Sequence, residues 1–232
     1  MPVRRLYIFC EGQTEEAFVD RVLREHFRDA SGTQAIPILP SNKTGSNSRR
    51  YKGGWTSYAK ARVTLHRLME QDHGEDTWFT TMLDLYAIPD DFPGLRSAPS
   101  ARAAQRVDAL EAAFADGVKT DRLWRFTPYL QLHEFEALLL ADIDAIARSF
   151  PDEAATAAAA LSAEVGGCRP EEVDGGRETA PSKLIIRHFP AYGGAKVSAG
   201  PIIAAEIGLS QLRSACPHFD RWLATLEGEC SG

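Results

Sequence analysis

The chain is short of the features that usually announce a small protein's chemistry. Its four cysteines stand at positions 10, 168, 216 and 230, and no two form a CxxC pair. That excludes a zinc ribbon and a disulfide framework. No apolar run approaches the roughly 20 residues that a membrane helix needs. The apolar run after Arg4 and Arg5 stops at Cys10, too soon for the core of a signal peptide. A soluble, cytoplasmic chain with no membrane partner is expected. Walker loops are missing as well, because Gly193-Gly-Ala-Lys196 lacks the G-x-x-x-x-G-K-[S/T] spacing. There is no G-x-G-x-x-G, nucleophile elbow or kinase set. An HExxH zinc site fails at Ala137, where the second histidine belongs.

Acid is missing from one long stretch. From Ser31 to Met69 there is no Asp or Glu, in a chain whose net charge is −6. The overall charge does not suit a general nucleic-acid binder. The stretch itself carries Lys43, Arg49, Arg50, Lys52, Lys60, Arg62 and Arg67, with Tyr51, Trp55 and Tyr58 among them. Cations can hold phosphates and aromatic rings can stack bases. Lys43, Arg49, Arg50, Lys52, Trp55 and Lys60 are therefore candidate nucleic-acid contacts. A solvated loop followed by a basic helix face is the plainer reading of the same residues.

What is present is an alternation. Residues 4–10 read as a strand and 14–28 as an amphipathic helix, with Thr14 as its N-cap. A short strand follows at 35–39, then a Ser, Asn and Gly-rich loop at 41–54 and a helix at 55–71. Residues 78–86 read as a strand, 101–115 as a helix and 124–132 as a fourth strand. A helix begins at Glu134. This order predicts an α/β fold, with a mostly parallel sheet sandwiched between helices. Residues 1–140 form the expected core. Residues 141–232 form a helical C-terminal extension packed on it, in which 166–181 reads as loop and 201–208 and 219–226 as short helices.

Acidic residues fall at three expected strand ends, where open α/β sheets place their chemistry. Glu11 follows the first strand, with Gly12 as the turn and Glu15 and Glu16 in the first helical turn. Asp84 stands near the end of the third strand, and Asp90 and Asp91 follow Pro89. His133, Glu134 and Glu136 follow the fourth strand, and His133 shares a face with Glu136 if the helix starts early. Two carboxylates on one sheet edge are a natural seat for Mg²⁺, which prefers oxygen ligands and keeps several waters. Each acid alone also reads as a cap or turn residue. Lys183, after Ala180-Pro-Ser182, can counter phosphate charge or can be a surface lysine.

Taken together, these pieces resemble one family. Glu-Gly-x-Thr-Glu at 11–15, Asp-Leu-Tyr at 84–86 with Asp-Phe-Pro-Gly at 91–94, and His-Glu-Phe-Glu-Ala-Leu-Leu at 133–139 occur in order. Ala-Pro-Ser-Lys at 180–183 and Cys-Pro-His-Phe-Asp at 216–220 complete the set. The pattern is similar to a bacterial family called domain of unknown function 4276, a Toprim-like group, over nearly the whole chain. The resemblance implies a Toprim fold with an acidic metal site at the strand ends. It also implies kinship with the Toprim nucleases of overcoming-lysogenization-defect type, whose relatives act in antiphage defence beside an ATPase partner of the AAA or ABC type. On that pattern Glu11, Glu15 and Asp84 are the metal and catalytic acids. Tyr86 stands where the pattern has its second aspartate, so Asp90, Asp91, Glu134 or Glu136 would have to substitute.

Two functions are expected in consequence. In the first, the chain is a Mg²⁺- or Mn²⁺-dependent nuclease acting on DNA or RNA. Glu11, Glu15, Asp84 and Asp90 hold the metal. Glu15 or a carboxylate of the His133, Glu134 and Glu136 cluster acts as base, and Lys183 counters charge. In the second, the fold survives as a non-catalytic docking subunit of an ATPase complex, a reading that Tyr86 favours.

Overall fold

β1 (Arg5–Cys10) is the centre from which the rest is organised. It pairs in parallel with β2 (Gln34–Ile38) from Arg5 opposite Gln34 to Phe9 opposite Ile38. On its other side it pairs in parallel with β3 (Thr77–Asp84) from Arg5 opposite Thr77 to Cys10 opposite Met82. Strand pairs on both sides and helices on both faces leave room only for apolar side chains, which is why Leu6 to Phe9 has no polar interruption. In the computed structural model, residues 3–40, 57–72, 74–98, 103–118, 125–152, 154–173 and 179–231 are described.

The strand order is β2-β1-β3-β4, and every pairing is parallel. β2 is an edge strand, and that is where Pro37, which has no N–H to donate, can be tolerated. The expected fourth strand is broken in two. β4 (Phe126–Thr127) and β5 (Leu130–Gln131) each pair with β3, but Pro128 and Tyr129 between them do not. The Thr81 hydroxyl takes over there, accepting from the Tyr129 N–H and donating to the Tyr129 carbonyl, both at 2.8 Å.

The two-residue period of the strands separates two cores. Leu6, Ile8 and Cys10 of β1, with Trp78 and Met82 of β3, face a large apolar cluster that reaches Cys230. Its helices include α1 (Gln13–Phe18), α2 (Arg24–Ser31), α5 (Glu136–Leu139), α8 (Pro181–His188), α9 (Tyr192–Ile207) and α11 (Pro217–Ser231). Phe9, Phe79 and Leu83 face the other side, against α3 (Tyr58–Gln71) and α4 (Ala103–Gly117). The expected sheet between helices is therefore the observed architecture. The sequence 141–232 adds α6 (Ile143–Ser149), α7 (Ala154–Val165) and α10 (Leu209–Ala215) to the larger face. Among the described residues, no helix is long and apolar enough to cross a membrane.

Several local expectations need correction. The first helix is capped at Gly12, not Thr14, because the Glu15 carboxylate reaches back to accept the Gly12 N–H at 2.8 Å. That helix does not end near 28. A π-helical turn at Val19–Leu23 joins α1 to α2, which ends at Gly32 in the left-handed region, φ 68°. β3 stops at Asp84 rather than residue 86, since the Tyr86 N–H is taken by the His133 carbonyl at 3.0 Å. The region read as loop and short helices holds α8 and the whole of α9. Gly193 and Gly194 lower helix propensity, but packing overrides it. At Gly200 a Cβ would meet Tyr192 at 3.1 Å and Phe135 at 3.2 Å, so α9 packs here at a distance that a larger residue would crowd.

Candidate metal centre at the strand ends

Parallel strands bring their carboxyl ends to one edge, and the acids follow. Glu11 comes one residue after Cys10, and Asp84 two after its partner Met82, so the two residues are neighbours across the β1–β3 pair. The Glu11 Oε2 accepts the Asp84 N–H at 2.9 Å, and the Glu11 N–H donates to the Met82 carbonyl at 3.1 Å. Glu15 is buried one turn into α1, held by its Gly12 bond. Glu136 is buried at the start of α5. Glu134 lies between β5 and α5, and its Oε1 accepts the Ser182 N–H at the start of α8.

These five acids feel one another. Burial pushes the Glu11 carboxyl up to about 7, opposed by its Asp84 bond and reinforced by Glu134 and Glu136. Burial and then Glu11 push Glu15 to about 7. Asp84 is driven well above the carboxylate range by burial, then by Glu11, Glu15, Glu136 and Glu134. Burial and Glu134 raise Glu136, against the pull of Lys196. Among the described residues the cation in contact is that lysine, with its Nζ 3.1 Å from the Glu136 Oε1. The Tyr192 hydroxyl donates to the same oxygen at 3.2 Å.

A divalent cation fits this donor set. All five groups are hard oxygen donors, which suit Mg²⁺ or Mn²⁺. One acceptor is left over. The Asp84 Oδ1 is inaccessible to solvent and has no hydrogen-bond partner among the described residues. A buried carboxylate oxygen without a partner is costly, and a cation bound at the strand ends would remove that cost.

His133 takes part differently from what its position suggests. α5 begins at Glu136, so the two share no helical face. His133 is buried and sits in the left-handed region, φ 66°, uncommon for a residue with a Cβ. Its Nε2 lies 3.0 Å from the Glu171 carbonyl, and the Glu171 carboxylate caps α11 by accepting the His218 and Phe219 N–H groups at 2.9 Å. The strained turn, of order 1–3 kcal/mol, thus lies between β5 and the acids of α5.

Other expected site residues lie apart. Asp90 is exposed in the turn after Pro89. Asp91 is a helix cap, since it accepts from the Ser57 hydroxyl and from the Tyr58 and Ala59 N–H groups at the start of α3. Lys183 is exposed on α8, while the lysine in contact with the acids is Lys196. Lys60 is exposed on α3; Lys43, Arg49, Arg50, Lys52 and Trp55 lie outside the described residues. Tyr192 and Lys196 were not expected as partners of the acids. Their signal was an i, i+4 pair on one helical face, visible only if 192–207 is read as helix.

A second cluster lies between α4 and α11. Among the described residues, Asp108, Glu111 and His218 bring three ligand atoms within 4.8 Å of one another, which the strand-end acids do not. They line a groove of about 200 Å³ with Arg221, Thr127 and Thr225. These groups already satisfy one another. His218 Nε2 is 3.0 Å from Glu111 and 3.1 Å from the Leu130 carbonyl, and Nδ1 is 3.0 Å from the Arg221 guanidinium. The guanidinium can only donate, so Nδ1 accepts and Nε2 carries the proton. Arg221 also pairs with Asp108 at 3.0 Å, and Glu111 accepts the Leu130 N–H at 2.8 Å. With Nδ1 taken by the guanidinium and Nε2 carrying a proton, the imidazole offers no free nitrogen to a cation. The cluster is a latch between helices.

No curated protein and no solved structure matches the chain. One family model does, over residues 10–227, a span that includes all five strand-end acids and Lys196. The chain therefore belongs to the family described as domain of unknown function (DUF4276).

Proposed function

We propose that this protein is a divalent-metal-dependent nuclease of Toprim-like ancestry, with Glu11, Asp84 and Glu15 as its principal metal and proton-handling groups. The observation that carries the reading is the strand-end cluster. Five carboxylates gather there, and among the described residues one lysine touches one of them, Glu136, and one buried Asp84 oxygen has no hydrogen-bond partner. Structural acids are ordinarily paired.

Glu11 and Asp84 would hold the ion, and the remaining coordination would come from water and substrate oxygens. Mg²⁺ commonly takes only one or two protein carboxylates, so three pre-assembled ligand atoms are not required. A bound Mg²⁺ or Mn²⁺ would neutralise charge on the scissile phosphate and acidify an attacking water. Glu15, whose carboxyl titrates at about 7, can take a proton near neutral pH. Glu136 is held in place by Tyr192 and Lys196. Lys196 takes the charge-countering role expected of Lys183. Action in antiphage defence beside an ATPase of the AAA or ABC type is proposed on the family resemblance alone.

The competing role, a docking subunit without catalysis, draws on Tyr86 in place of the pattern's second aspartate. Incubation of the purified chain with labelled DNA and RNA in Mn²⁺ decides between them. Metal-dependent cleavage should fall at least roughly 10²-fold in Glu11→Gln and Asp84→Asn. Cleavage that persists in both variants, or that never occurs with or without an ATPase partner, removes the hydrolytic reading.

A further inference from the structure

We propose that Tyr86 is a stacking platform for an unpaired nucleobase, so that the substrate of the strand-end site is a single-stranded polynucleotide. This rests on the nuclease reading and narrows it. Tyr86 is 46% exposed, the one aromatic ring among the large exposed apolar side chains of the described residues. It belongs to the short 3₁₀ turn Leu85–Ala87 directly after Asp84. Its backbone is fixed by the bond from its N–H to the His133 carbonyl at 3.0 Å. Its ring lies 6.0 Å from the His133 ring, tilted 46°. The platform is thus anchored at both ends of the site: β3 carries it, and the strained turn of His133 supports it.

Placement supplies the chemical argument. Two residues of chain span at most about 7 Å. A ring at Tyr86 is therefore within one nucleotide's reach of a phosphodiester seated at Asp84. The site around it is strongly acidic and repels a polyanion. An attachment that does not depend on charge is what such a site needs, and a base stacked on a ring provides it. Bases inside a duplex are paired and stacked on their own neighbours, so their faces are not offered to a side chain. The tyrosine that stands in place of a metal-binding aspartate thereby has a role of its own.

The test uses the full chain and fluorescein-labelled oligothymidylate and oligouridylate 12-mers, with a 12-base-pair DNA duplex as control. Binding is followed by anisotropy in Mn²⁺, with cleavage measured in parallel. Both single strands, or one of them if the sugar is discriminated, should bind more tightly than the duplex. Tyr86→Ala and Tyr86→Leu should weaken single-strand binding roughly 5- to 100-fold, the range expected for one stacked base. Tyr86→Phe should retain it. In the cleavage arm the loss should fall on KM rather than kcat. Tyr86 is exposed, so its replacement removes little buried contact, and the Tm of each variant checks that it folds. If Tyr86→Ala binds single strands as the natural protein does, or the duplex binds as tightly, the platform is overturned. Cleavage with Tyr86-indifferent binding leaves the nuclease and removes the platform. Tyr86-dependent binding without cleavage does the reverse, and absence of all binding removes both.

Discussion

The molecule holds two clusters of acids that look alike in sequence and differ in balance. At the strand ends, among the described residues, one lysine meets Glu136 of the five carboxylates, and the Asp84 Oδ1 has no hydrogen-bond partner. Between α4 and α11, Asp108 and Glu111 meet His218 and Arg221, and each group is bonded to another. The second cluster has the tighter geometry, yet its polar groups satisfy one another. The first is looser and leaves negative charge uncancelled. The unbalanced charge is what makes the strand ends the candidate site, because burying it costs folding free energy.

Acidity is the strongest way to break the comparison. A carboxyl that titrates at about 7 when folded, against 4.5 ordinarily, holds its proton more tightly in the folded state. Its contribution to stability is whole below about pH 4.5 and is lost as the pH rises through about 7. A shift of that size corresponds to about 3 kcal/mol for one group. Urea unfolding in EDTA should therefore show stability falling between pH 5 and pH 8, and Glu11→Gln should flatten the fall. An unchanged slope would mean that Glu11 is not part of a repelling cluster.

The latch should respond in the opposite manner to mutation. Burial alone lowers the His218 pKa, but the Glu111 bond and charge outweigh it and raise it. Its stabilisation is thus full below about pH 6.5 and fades above that. His218→Ala should cost about 1–3 kcal/mol, because Glu111 and the Leu130 carbonyl lose a buried donor. In Tm that is roughly 2–12 °C for a chain of this size. On the proposed function, metal-dependent cleavage by the folded variant should not change. Arg221→Ala gives the smallest effect, under about 1 kcal/mol, since its pair with Asp108 is exposed. A large loss there would mean that Arg221, rather than His218, holds the groove together.

How much of this could be read from the chain follows from the range of the interactions. The strands, the parallel sheet and Glu11 with Asp84 were legible, because they depend on apolar runs and on residues next to strand ends. Lys196 and the cap by Asp91 were not. Both depend on pairing across long stretches of chain, from Lys196 to Glu136 and from Asp91 to Ser57. The left-handed His133 gave no signal either, since nothing in His-Glu-Phe-Glu distinguishes a strained turn from the start of a helix. Helix α9 was obscured by its glycines, of which Gly200 lies close to Phe135 and to Thr14 of α1.

Thermal unfolding at pH 8 with and without Mn²⁺ tests the unbalanced cluster most directly. Metal at about 100 times its dissociation constant should stabilise by about 2.7 kcal/mol, raising Tm by roughly 5–10 °C. The rise should vanish in Asp84→Asn and persist in His218→Ala. No rise in the natural protein at millimolar metal would contradict a cation site at the strand ends, and a rise that survives Asp84→Asn and disappears in His218→Ala would move the site to the groove between α4 and α11.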